Sequence, residues 1–108
     1  MPVNHCKVAS DYNALKNQED VLVVVDFSAS WCGPCKFIAP KFEELSNHYK
    51  DVTFVHVDVD QLQDIDDIDD VKSLPTFKFF FNNSLLNTLT GSNHVKLEEI
   101  LRDCLEYD

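Results

Sequence analysis

Five consecutive apolar residues, 21–25, are followed by Asp26 and Phe27, and a few positions later by Trp31-Cys32-Gly33-Pro34-Cys35. An unbroken Val/Leu run marks a strand covered on both faces, as in a parallel or mixed sheet flanked by helices. From Gly33 the spacing becomes helical, with Ile38, Phe42, Leu45 and Tyr49 forming one apolar stripe. A buried strand over residues 21–28 is therefore expected to hand two thiols to a long helix. Pro34 suits the first turn, where a missing N–H costs nothing, and Pro40 in the interior is expected to bend the helix.

The remaining pattern fits around this unit. Residues 4–8 suggest a short edge strand, and Ser10 is a candidate cap for a helix running through Tyr12 and Leu15 to about Asn17. Residues 52–59 read as a second buried strand. Asp60 then stands where it would cap a short helix, with Leu62, Ile65 and Ile68 at three-residue steps. Asp64, Asp66, Asp67, Asp69 and Asp70 on its other side read as a solvated charged face, because their order does not match a calcium loop. Residues 77–81 and 85–90 form a hairpin through Asn82-Asn83-Ser84, since Asn tolerates the left-handed backbone of such turns. Gly91 ends the hairpin, and Asn93 caps a last helix with Leu97, Ile100, Leu101, Cys104 and Leu105 facing inward.

The expected order is β-α-β-α-β-α-β-β-α, an α/β single domain over residues 1–108. Its central mixed five-stranded sheet is flanked by four helices, with the first three strands parallel and the hairpin antiparallel. A chain of 108 residues with 44% hydrophobic content and eight Phe is long enough to bury one core without staples. Nineteen acidic against nine basic residues give a formal charge of −10, which repels a phosphate backbone and disfavours nucleic acid. No apolar stretch approaches bilayer-spanning length and the start of the chain does not resemble a secretory leader, so the expectation is a cytoplasmic monomer away from the membrane.

Of four cysteines, only Cys32 and Cys35 are closely spaced. Exposed N–H groups and the positive end of a helix dipole stabilise a thiolate at a helix N-terminus, so Cys32 is the expected nucleophile. Cys35, one turn deeper on the same face, is the expected resolving thiol. A zinc site would need two more ligands, and His5, His48, His56 and His94 show no paired spacing, so no metal is expected. Inert core thiols would leave the Gly-Pro insert and preceding Trp unexplained. Cys6 and Cys104 read as buried free thiols, with regulatory oxidation or a linked dimer as the alternative.

Residues 23–30, VVVDFSAS, then WCGPC, VDVDQ, a Pro-Thr-Phe strand and a Gly before the last helix together resemble the thioredoxin family across essentially the whole chain. The resemblance implies the thioredoxin fold and a general protein-disulfide reductase that maintains cell redox balance and holds no bound cofactor. Electrons would come from a thioredoxin reductase and so indirectly from NADPH, and would go to clients such as peroxiredoxins or ribonucleotide reductase. It gives Cys32 and Cys35 the redox-active roles, with Gly33-Pro34 keeping the pair reducing. Asp26 becomes a buried carboxyl exchanging a proton with Cys35, its pKa raised by burial toward neutrality. Pro75 becomes a cis-proline opposite the cysteines, and Trp31, Gly33, Pro34, Leu74, Pro75 and Gly91 a substrate-binding surface. Both glycines of the chain fall on that surface, as close backbone approach would require.

The turn Asn82-Asn83-Ser84 departs from the Lys-Asn-Gly type common in the family. His56 replaces a lysine found in some relatives, and is expected to modulate Asp26. Two rival functions remain: a redox-switched binding module, and a secreted oxidase or isomerase. The intact CGPC disfavours the first as a purely structural role, and Pro34, where such relatives typically carry His, disfavours the second.

Overall fold

The computed structural model describes residues 3–106. Five strands, β1 (Val3–Cys6), β2 (Leu22–Ser28), β3 (Thr53–Asp58), β4 (Thr76–Phe81) and β5 (Ser84–Thr90), form one sheet in the order β1-β3-β2-β4-β5. β1 and β2 both run parallel to β3, while β4 is antiparallel to β2 and β5 to β4. All seven residues of β2 are buried because it is the middle strand and both faces are covered.

Alternation along the strands sorts side chains between two cores. Leu22, Val24, Phe54, Phe77 and Phe79 pack beneath helices α2 (Gly33–His48) and α3 (His94–Leu105). Val23, Val25, Phe27, Val55 and Phe80 pack on the other face, under helix α1 (Ala9–Lys16) and the Leu62/Ile65 segment. By the same period of two, Asp26 projects toward α2 and Lys78 toward α1.

The described residues contain three α-helices rather than four. The expected helix after Asp60 is reduced to a 3₁₀ turn, Asp66–Ile68. Leu62 and Ile65 still bury themselves at the expected positions. What fails is the helical backbone: Asp is a weak helix former that competes for backbone donors, as where the Asp58 carboxylate accepts from the Asp60 N–H at 2.9 Å. Like charges at Asp66/Asp70 and Asp67/Asp70 oppose a helix further.

Several boundaries also shift. β1 ends at Cys6, and α1 starts at Ala9 behind an extended Val8 with no side-chain cap, so Ser10 lies inside the helix. α2 runs without interruption past Pro40. Asn82 and Asn83 both have positive φ, at 49° and 67°, so the hairpin turn has two residues and Ser84 already pairs with Phe81. Asn93 caps α3 as expected, its Oδ1 accepting from the Lys96 N–H at 3.0 Å. Leu97, Ile100, Leu101 and Cys104 face inward, but Leu105 at the helix end is exposed.

Candidate redox site

β2 ends at Ser28 and the chain reaches α2 within four residues, which places Cys32 at the N-cap. The Cys35 N–H donates to Cys32 Sγ at 3.2 Å, so the sulfur occupies the position a capping oxygen usually takes. Cys32 and Cys35 are joined in a disulfide with Cα atoms 5.3 Å apart. Both are only 5% exposed, so exposure alone does not rank them. The difference is direction: Cys32 lines a groove of about 440 Å³, and Cys35 is not among the residues that line it.

Trp31, Gly33, Pro34 and Leu74 share the groove with Cys32. Trp31 is 69% exposed and its ring is held by Nε1–H donating to the Asp60 carboxylate at 2.7 Å. The Leu74–Pro75 peptide is cis. Leu74 packs with Val59 on the Ala29/Cys32/Cys35 cluster. Pro75 and Gly91 lie beside the groove rather than in it, linked by the Gly91 N–H donating to the Pro75 carbonyl at 2.9 Å. The two glycines have different reasons. Gly91 holds φ of 96°, a conformation that disfavours a side chain, while a Cβ at either glycine would meet nothing within 4 Å. Close packing inside the chain therefore does not account for Gly33.

Asp26 is 2% exposed, and its Oδ1 has no hydrogen-bond partner. Burial pushes its carboxyl up to about 7. His56 stands opposite Asp26 in the β2–β3 register but turns to other partners. Its Nε2 lies 2.7 Å from Ser28 Oγ and its Nδ1 3.4 Å from His5 Nδ1. Burial, and then His5, lower its basicity. The raised pKa of Asp26 is caused by burial.

Cys6 and Cys104 are both buried and free, one in each core. Burial pushes the Cys6 thiol up to about 11 and raises Cys104 as well, which suppresses the thiolate form. Among the described residues, no three His, Cys, Asp or Glu side chains converge as metal ligands, and no helix is long and apolar enough to cross a membrane.

The far wall of the groove is formed by Val59, Ile68, Val71, Lys72 and Ser73, none of which the sequence assigned to the site; Ile68 was read only as a core residue. For Val71, Lys72 and Ser73, their position just before Leu74-Pro75 was the available signal. Asp60 was assigned to a helix cap and instead holds Trp31.

The sequence model of the family described as "Thioredoxin" matches residues 3–103. The chain belongs to the thioredoxin family. It is 48% identical over 88 residues to a thioredoxin of Ophiophagus hannah, covering 82% of this chain and 84% of that protein. Against "Thioredoxin-1" of Schizosaccharomyces pombe it is 47% identical over 98 residues, 89% of this chain and 95% of the relative. Solved structures agree. A poplar thioredoxin h superposes with a TM-score of 0.92 at 32% identity, covering all of both chains, and Plasmodium falciparum thioredoxin with 0.86 at 36% identity, covering 97% and 99%. With its cysteine pair at the head of α2, this family member is a thiol–disulfide oxidoreductase that reduces protein disulfides.

Proposed function

We propose that Cys32 supplies the attacking thiolate, that Cys35 resolves the intermediate, and that Asp26 carries the proton the second step displaces. In the reduced protein, Cys32 attacks one sulfur of a client disulfide. The client S–S bond breaks, one client thiol leaves, and a mixed disulfide joins the client to Cys32. Asp26 then takes the proton from Cys35, whose sulfur attacks Cys32. The second client thiol leaves and the Cys32–Cys35 disulfide closes, so two electrons have passed to the client.

The observation that carries this reading is the position of Cys32, at the N-cap of α2 with Sγ accepting the Cys35 N–H while facing the groove. The Cys35 amide pointed at that sulfur and the helix dipole favour its anion. A carboxyl with a pKa of about 7 is partly ionised at neutral pH, so it both accepts and returns a proton. Trp31, Gly33, Pro34 and Leu74 form the apolar contact for the client, and the backbone beside Pro75 and Gly91 pairs with an extended client segment.

Electrons return from a thioredoxin reductase and thus from NADPH, which this chain does not itself bind. The clients are cytoplasmic proteins with accessible disulfides, of the peroxiredoxin and ribonucleotide reductase type, and the protein works as a monomer. Insulin reduction coupled to reductase and NADPH tests the proposal. The wild-type chain turns over, and Cys32→Ser abolishes turnover. Activity retained in Cys32→Ser would overturn the assignment.

A further inference from the structure

The segment between β3 and β4 supplies the far wall of the groove, through Val59, Ile68, Val71, Lys72 and Ser73. Apart from one three-residue 3₁₀ turn it has no regular backbone ladder to fix its shape. Leu62 and Ile65 bury its first half in the α1-side core, against which Ile68 and Val71 also pack, and polar side chains on that face fasten the rest. Lys78 is 4% exposed, an unusual place for an ammonium group, and it lies in register with Val25 in the middle of the sheet. Its Nζ donates to the Asp67 carbonyl at 2.8 Å and to the Asp70 carboxylate at 2.5 Å, with the Phe27 ring 5.7 Å away. Asp67 is held a second time, its carboxylate accepting from Tyr12 OH at 2.5 Å and pairing with Lys16 Nζ at 2.8 Å.

We propose that Lys78 is a positioning residue for protein substrates: from beneath the sheet face, its buried ammonium clamps Asp67 and Asp70 and so sets the wall that Ile68 and Val71 present to a docked client. The inference rests on the disulfide-reductase reading and deepens it. Lys78 touches neither sulfur nor groove; it acts through the segment it holds. The two clamped residues flank Ile68 on one side and adjoin Val71 on the other, so the anchor points and the docking surface are the same few residues. The ion pair contributes little to stability, because the Asp70 side chain is 74% exposed and solvent screens it.

The test is Lys78→Met, which keeps the volume and removes the charge. With insulin as substrate, KM is expected to rise about fivefold with kcat nearly unchanged, because the lost contacts serve ground and transition states alike. Reaction with a small aromatic disulfide, which does not span the groove, moves less than about twofold. Amide exchange at Ile68, Asp69 and Val71 quickens, while the thermal midpoint is unchanged or raised. Lys78→Arg, which keeps the charge, restores most of the insulin KM. A folded Lys78→Met with wild-type insulin KM overturns the proposal, as does a rise in KM matched by an equal loss with the small disulfide. Should Lys78→Met fail to fold, Asp70→Ala decides: the side chain is 74% exposed, and an unchanged insulin KM there also overturns the clamp. Failure of the wild-type chain to reduce the small disulfide would instead sink the reductase reading itself.

Discussion

At Asp26 the cost of burying a carboxyl is visible in a single side chain. Its carboxyl holds a proton to about pH 7 in the fold, whereas a solvated one ionises near its ordinary value of 3.8. Between those values the unfolded chain gains from ionising and the native chain does not. Native stability therefore falls as pH rises from about 4 to about 7, by up to about 4 kcal/mol. Asp26→Asn removes the titration. Urea melts of the oxidised protein are expected to show the variant gaining on wild type from pH 4 to pH 8, while its reduced form resolves mixed disulfides more slowly. An identical difference at both pH values would show that folding does not raise the Asp26 pKa. Cys6 and Cys104 make the complementary case. Both are buried with raised pKa values, so mild peroxide followed by mass spectrometry should modify Cys32 and Cys35 and spare the other two.

Among the elements, those specified by strong local signals were legible, and those specified by tertiary contact were not. The unbroken Val run of β2 has only one environment that suits it, the centre of a sheet, and Cys32 and Asn93 sit at helix starts where their side chains accept a backbone N–H. Asn93→Ala should cost about 1 kcal/mol, seen as a lower urea midpoint at constant slope. The segment after Asp60 was misread because spacing of Leu62, Ile65 and Ile68 records which residues are buried without recording the backbone between them. Nor was the acidic run merely solvated. Asp67 is bonded to Tyr12 and Lys16, and Asp70 to a lysine on a central strand, partners 8 to 55 positions away that no local pattern reveals. The partners of His56 were hidden for the same reason: register brings it opposite Asp26, while its ring meets Ser28 and His5.

Across the whole molecule, the order β1-β3-β2-β4-β5 puts the cysteine-bearing helix start at the end of the central strand, beside the segment that leads into β4. That topology turns a local CxxC motif into a groove with two walls, one carried by α2 and one by residues 59–74. Cys32, Cys35, Trp31 and Leu74 were recognisable from sequence because the motif and the family resemblance name them. The wall built from Val59, Ile68 and Val71 emerged only with the fold. The decisive experiment is to trap the intermediate: Cys35→Ser incubated with an oxidised protein substrate, followed by peptide mapping under non-reducing conditions. The substrate should be found bonded to Cys32 alone, in a complex that dithiothreitol releases. A substrate bond at Cys6 or Cys104, or no bond at all where wild type reduces the same substrate, would contradict Cys32 as the nucleophile.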